Sequence, residues 1–322
     1  MKILSLVLSL LMLCSCASTP QSKGIHNNGP GSLPSAVELS DTPFFPQTEY
    51  QCGPAALATV LQAHSIETTP EKLSSQVYIP GRKGSLQIEM AAATRRYGML
   101  PYKLEPSLLD LFAEINAGNP VLVLQNLGFE WYPNWHYAVV VGYDTDNNEI
   151  ILRSGTTRRW VSPLEVFERT WQRADFWALV IVPVGQVPYT ARPLSFLKTA
   201  YAFEETGKPK LAFEAYQSAS ERWPEISLTW MALGNIALVN QNLPEAIRAF
   251  NIAISLEPDL SSGWNNLAYA LRAYGCAAQA QAALSCGLSI TPDDSNLQDS
   301  KQDLFDGSID SGDVECPVIQ CD

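Results

Sequence analysis

The chain of 322 residues is short of histidine, of positive charge and of long apolar runs. It has three His, and 21 Lys and Arg against 33 Asp and Glu, for a net charge of −12. An acidic chain without a basic cluster argues against nucleic acid, because neutralising phosphates takes Lys and Arg. The apolar run from Ile3 to Leu13 is too short to cross a bilayer, and no other run is long enough. No His stands near the C-terminal cysteines, which argues against a metal site there, and no cofactor is expected. What the chain does have is apolar content, 46% hydrophobic against 17% charged, ample for two domains with cores.

Met1–Ser15 carries one Lys and then the short apolar run, the pattern of a signal peptide. It ends Leu13-Cys14-Ser15-Cys16, which resembles a bacterial lipobox with Cys16 as the lipidated first residue of the mature chain. An ordinary signal peptide cut nearby is the alternative. Ala17 follows instead of Asp, and by resemblance to sorted lipoproteins this implies the periplasmic side of the outer membrane, with acyl chains as the membrane anchor. Residues 16–41 are rich in Ser, Pro, Gly and Asn and lack an apolar period, so a flexible tether is expected, with His26 a solvated residue in it.

Gln47 and Cys52-Gly53-Pro54 open an apolar run, Ala55 to Leu61, that predicts a buried helix. Cys52 then sits at the helix mouth, where the positive end of the macrodipole favours a thiolate. Gln47, five residues upstream, can fold back beside the sulfur and share an oxyanion hole with the Cys52 N–H. A structural cysteine in a buried helix is the competing reading. Further on, His136 opens an apolar strand, Trp135–Tyr143, on the same face as Ala138 and Val140. The aromatics of Gly128–Trp135 precede it and suit either a substrate wall or a packed loop. His64 reads as a helix-end residue. Helical patterns at Glu71–Val77, Ser85–Tyr97 and Ser107–Ala117 come first. Strands at Pro120–Leu124, Trp135–Tyr143, Glu149–Arg153 and Phe176–Val184 follow, an α+β order.

These residues together resemble the papain-like cysteine peptidases that trim double-glycine leader peptides of bacteriocins. The motifs are Gln47…Cys52-Gly53-Pro54-Ala55-Ala56 and His136-Tyr137-Ala138-Val139-Val140-Val141-Gly142-Tyr143-Asp144, and the likeness spans Thr42–Pro183. It implies an α+β papain-like domain over 42–185 with Cys52 as nucleophile, His136 as general base and Gln47 in the oxyanion hole. In that family an Asp just past the next strand holds the imidazole. Here that place is Ser154, in Leu152-Arg153-Ser154-Gly155, and Asp144 is the nearest carboxylate in sequence. Three outcomes are open: a Cys–His dyad oriented by Ser154, substitution by Asp144, or weak or lost catalysis.

After a linker at Gln186–Pro193 the chain repeats every 34 residues. Phe196, Trp230 and Trp264 keep the step, as do Ala200, Gly234 and Ala268, and Pro224, Pro258 and Pro292. This is the signature of tetratricopeptide repeats and predicts an all-α solenoid of three units over 194–292. Its concave face is expected to bind a protein partner; a purely structural cap is the alternative. The acidic tail, 293–322, is expected to be loosely ordered. Cys276, Cys286, Cys316 and Cys321 permit disulfides in an oxidising compartment. Cys276 falls at the turn between helices and Cys286 about eight residues into the next helix, too far for a direct bridge. A Cys316–Cys321 loop or tail cysteines pinned to the repeats are both open.

The reading is a lipid-anchored periplasmic cysteine peptidase, acting on a peptide or protein, with a repeat domain that recruits a protein. Two rivals stand beside it: a peptidase-like adaptor without activity, and a hydrolase or acyltransferase acting on cell-wall peptides. Double-glycine specificity is not carried over, because leader-trimming enzymes are usually fused to an export transporter.

Overall fold

A computed structural model describes residues 18–47, 51–305 and 315–321. The chain divides into two compact units, 1–182 with 188–190, and 183–187 with 191–322. The signal segment 1–15 and Cys16 lie outside the described residues.

The first unit is built on a seven-stranded sheet. Its strands are β1 (Ala36–Glu38), β4 (Met99–Lys103), β5 (Val121–Asn126), β6 (Trp135–Asp144), β7 (Glu149–Ser154), β8 (Thr157–Pro163) and β9 (Ala178–Pro183). The order is β4-β9-β5-β6-β7-β8, with β1 paired to the far end of β6. Pairs β5–β6, β6–β7 and β7–β8 are antiparallel hairpins. A separate two-stranded hairpin joins β2 (Tyr78–Ile79) to β3 (Gly84–Ser85).

One helix sets this architecture. In α2 (Cys52–Ala63) every residue from Gly53 to Leu61 is buried. A helix apolar all round cannot lie on a surface, so the domain closes over it. Its Leu57, Val60 and Leu61 share a core with Leu122, Val139, Val141 and Ile181 of the sheet. Pro54 is the third helical residue, not the first, and its missing N–H still falls in the turn that has no intrahelical acceptor. Helices α3 (Pro70–Val77), α4 (Gln87–Arg96) and α5 (Leu108–Asn116) fall where the sequence pattern places them, and α6 (Leu164–Gln172) is an addition. Phe112 of α5 stacks on Tyr143 of β6 at 4.0 Å.

The expected tether is ordered instead. It forms α1 (Pro20–Asn28) and β1. The reason lies far away in sequence, at Glu168 on α6. Its fully buried carboxylate accepts the backbone N–H groups of Gln21 and Ser22 at 3.0 and 2.7 Å and the Ser22 hydroxyl at 2.6 Å. Three donors at the mouth of α1 meet one anion, which satisfies the helix end and its dipole together. His26 lies in the last turn of α1.

The second unit is all helical. Its pairs are α7 (Pro193–Glu205) with α8 (Pro209–Arg222), α9 (Ser227–Val239) with α10 (Leu243–Leu256), and α11 (Ser261–Tyr274) with α12 (Ala277–Ile290). The 34-residue step reaches the backbone: Gly207, Gln241 and Gly275, each 34 apart, all have positive φ at the turn inside a pair. A Cβ on Gly234 would meet the Phe250 ring at 2.5 Å, so the crossing of α9 and α10 needs glycine there. The indole N–H groups of Trp230 and Trp264 donate to the carbonyls of Pro224 and Pro258, both at 2.8 Å. The second and third units are thus each tied to the proline that ends the unit before.

The tail departs from the loosely ordered expectation. It adds α13 (Ser295–Phe305) and then 315–321, held by Cys276–Cys316 and Cys286–Cys321 bridges. Ten helical residues rise about 15 Å. Five extended residues span about 17 Å. An extended tail running alongside α12 therefore meets both cysteines in register.

Candidate active site

A cavity of about 940 Å³ lies across the start of β6 and the mouth of α2. Cys52, His136 and Gln47 all line it, though 84 positions separate the first two. Cys52 is partly buried and is the one free cysteine among the described residues.

His136 is held by Ser154. The two meet through Nε2 and Oγ at 2.8 Å. The hairpin β6–β7–β8 brings them together, because Ser154 ends β7 at the two-residue turn before Thr157. With Nε2 occupied, Nδ1 is the ring nitrogen left for the sulfur. When Ser154 accepts the Nε2 proton, Nδ1 carries the lone pair that a base needs. A hydroxyl can also donate, which an ionised carboxylate cannot, so Ser154 enforces this tautomer less strictly than an Asp.

Asp144 is not brought to the site. It stands eight residues further along β6, about 26 Å away at 3.3 Å per residue. Its carboxylate accepts the backbone and side-chain N–H groups of Asn147 at 2.9 and 2.8 Å, and these bonds lower its pKa. The Asp144 alternative is therefore set aside: its carboxylate serves the β6–β7 turn.

Gln47 is fastened at both ends of its amide. Nε2 donates to the Tyr137 carbonyl at 3.3 Å, and Oε1 accepts the Gly155 N–H at 3.2 Å. The Gln47 N–H also donates to the Gly155 carbonyl at 2.9 Å. Nε2 has two hydrogens, so one stays available for a bound oxyanion. The turn that carries Ser154 is thus the turn that fixes Gln47.

The electrostatics differ from the helix-mouth expectation. Burial pushes the Cys52 thiol up, and the N–H groups of Tyr137, Gly53 and Cys52 pull less strongly the other way. Burial also lowers the His136 pKa. The desolvation that opposes charge on both outweighs the helix dipole. Both directions favour the uncharged forms, a thiol and an imidazole lining one cavity. A sulfur that attacks from this state has to lose its proton as it does so.

Sequence reasoning missed two contributors. The backbone of Tyr137 both accepts from Gln47 and faces the sulfur, a role with no side-chain signature. Ser85 is the second. A Cβ on Gly53 would come within 2.7 Å of the Ser85 Cβ and closer still to its hydroxyl, so glycine after the cysteine lets β3 seat against the helix mouth. The Ser85 hydroxyl is buried beside the cavity without a hydrogen-bond partner among the described residues. His64 caps the C-terminal end of α2, outside the cavity lining.

The aromatic stretch before His136 is not a packed loop. Phe129, Trp131 and Tyr132 are exposed, Trp131 at 82%, and Phe129 stacks on Trp131 at 5.6 Å. Asn126 ties the loop's base by accepting the Gly128 and Asn134 N–H groups. Arg173 donates to the Gly128 carbonyl at 2.6 Å. Trp135, half exposed, lines the cavity directly.

Residues 39–178 match the Peptidase_C39 like family. No curated protein matches the chain. Among solved structures, the chain is similar to a C39-like peptidase from Bacillus anthracis, with 20% identity over 46% of this chain and 97% of that one, at a TM-score of 0.39. It is also similar to a double glycine motif protease from an AMS/PCAT transporter, crystallised with its leader peptide. That match has 23% identity over 45% and 93% of the two chains, at 0.35. The first TPR domain of Spaghetti (RPAP3), bound to an HSP90 peptide, matches at 13% identity over 35% and 93%, at 0.33. The first unit has a C39-like α+β fold, and an all-helical, tetratricopeptide-like unit follows it.

Proposed function

We propose that the first unit is a cysteine peptidase and that the repeat unit binds a protein segment. The observation that carries this reading is one cavity lined by Cys52, His136 and Gln47, with the His136 Nε2 held at 2.8 Å by Ser154. The match of residues 39–178 to a peptidase family supports it. In the proposed reaction Nδ1 of His136 takes the Cys52 proton as the sulfur attacks an amide carbonyl. The free Gln47 N–H and the Cys52 N–H hold the oxyanion. His136 then protonates the leaving amine, and water releases the acyl group from sulfur.

The export side of the envelope is part of the proposal. Four of the five described cysteines pair, which suits an oxidising compartment and supports a periplasmic location. Lipidation at Cys16 is its anchor. Loss of radiolabelled palmitate from the Cys16→Ala variant would support the anchor, and equal labelling would remove it. In the repeat unit, exposed Leu228 and Val239 on α9 offer apolar contacts to a partner.

The test of activity is a proteome-derived peptide mixture, incubated with the full chain and read by mass spectrometry for new termini. Cleavage by the wild type that disappears in Cys52→Ala and in His136→Ala is expected. A second reading, a peptide-binding adaptor, is favoured by the uncharged partner of His136 and the raised thiol pKa. Binding without any cleavage would select it.

A further inference from the structure

Arg153 is 3% exposed and stands one residue before the Ser154 that holds His136. A buried guanidinium has five N–H donors that need acceptors. Main-chain carbonyls from two separate stretches of chain supply them. Nε donates to the Thr42 carbonyl at 3.2 Å, and Nη2 to those of Ser40 and Leu39 at 2.9 and 3.5 Å. Nη1 donates to the Arg158 carbonyl at 2.9 Å.

Both stretches border the site. Arg158 lies in an irregularity of β8: Leu152 pairs with Trp160 and Ser154 with Thr157, so β8 has one more residue between these pairs than β7. Such a bulge leaves backbone groups out of the ladder and bends the strand that carries it. Arg153, on the facing strand, takes up the Arg158 carbonyl. The other stretch, Leu39–Thr42, leads within five residues to Gln47, whose N–H and side-chain oxygen are both bonded to Gly155. Successive strand residues face opposite ways, so Ser154 is given to the imidazole while Arg153 is given to the backbone behind it.

We propose that Arg153 is a positioning residue for the Cys52 site. By holding the β8 bulge and the 39–42 segment to one rigid plane, it sets the Ser154–Gly155 turn and, through that turn, the His136 ring and the Gln47 amide. The planar fork of Arg lets one side chain bond two stretches of backbone, whereas Lys offers a single nitrogen. A misplacement of about 1 Å at the reacting groups costs about 10² in rate, so a tie outside the cavity lining reaches the chemistry. This inference rests on the peptidase reading for its rates, but the alignment of His136 is readable without turnover.

The full-length protein has three His, so labelling their ring nitrogens with nitrogen-15 gives few signals, and His136→Ala identifies the one in the site. Long-range proton–nitrogen spectra then distinguish the protonated ring nitrogen from the bare one. The wild type should show His136 with its proton on Nε2, facing Ser154, and Ser154→Ala a mixture of tautomers. Arg153→Lys and Arg153→Gln should resemble Ser154→Ala at His136 and the wild type at His64. A side chain that only stabilised the fold would lower the unfolding midpoint and leave the His136 signal as in the wild type, and that result overturns the proposal. So does a His136 signal unmoved by Ser154→Ala, or failure of both Arg153 variants to fold, which assigns Arg153 to folding alone. On any peptide the wild type cuts, Arg153→Lys should lower kcat by about 10² with KM little changed, and an unchanged kcat also overturns it. A displaced His136 tautomer in the Arg153 variants, with no cleavage by the wild type, would retain the role of Arg153 and reject the peptidase reading.

Discussion

Replacing Ser154 by Asp should restore what the site lacks, a charge behind the imidazole. Ser154 Oγ sits 2.8 Å from Nε2, so an Asp carboxylate placed there would lie within hydrogen-bond reach of the ring. Two unit charges about 4 Å apart attract by about 4 kcal/mol at an effective dielectric near 20. Desolvation of the half-buried carboxylate removes about half of that, leaving about 2 kcal/mol in favour of imidazolium. The imidazolium in turn stabilises the thiolate. The sign is fixed by the resting state: burial lowers the His136 pKa and raises that of Cys52, which favours the uncharged forms of both in the wild type. At 1.36 kcal/mol per factor of ten, the ion pair should gain about 30-fold in population. The assay is the pH profile of Cys52 alkylation by iodoacetamide between pH 5 and 10. The wild type should react slowly until alkaline pH, because its thiol titrates above the ordinary cysteine range. Ser154→Asp should add a fast phase at pH 6–7, and that phase should vanish in Ser154→Asp/His136→Ala. Profiles of Ser154→Asp and wild type that superimpose would refute the reasoning, since the ring would then not lie between residue 154 and the sulfur.

Other outcomes follow from the same geometry. Gln47→Ala should lower kcat by about 10²–10³ with KM little changed, as for loss of an oxyanion donor, measured on any peptide the wild type cuts. Gly53→Ala should destabilise the first unit by about 1–3 kcal/mol in urea unfolding, and Ser85→Gly should recover part of it by removing the atoms the new Cβ meets. Replacing Cys276 and Cys316 together by Ser releases a loop closed over 40 residues of separation and should cost the second unit about 2–4 kcal/mol. Limited proteolysis should then cut the tail first. Glu168→Ala should free α1, since three donors lose their acceptor, and expose residues 20–28 to protease while the sheet stays protected.

What the sequence made legible was local and periodic. The helix of Cys52 announced itself by apolarity on every side, and the repeat by a step of 34 that reappears in the turn dihedrals at 207, 241 and 275. What escaped depends on distant partners. Nothing in Pro20–Asn28 signals a docked helix, because its acceptor is Glu168, almost 150 residues on. Strand β8 escaped for another reason: Arg158, Arg159 and Trp160 are all exposed, so no apolar alternation marks it. Within the site, Ser154 could be placed by counting past the strand, and Asp144 could be dismissed only once β6 was seen to run to its far end at Asp144. The direction of the thiol's pKa was lost because a dipole argument sees one helix, while desolvation sums over everything packed around it.

The most direct test is acid quench of the full-length protein while it turns over a peptide digest, followed by intact-protein mass and peptide mapping. The account predicts an acyl group in thioester linkage on Cys52 in the wild type, none on Cys52→Ala, and none in His136→Ala. Peptide cleavage that survives the Cys52→Ala substitution, or a wild type that forms neither adduct nor product, would contradict it.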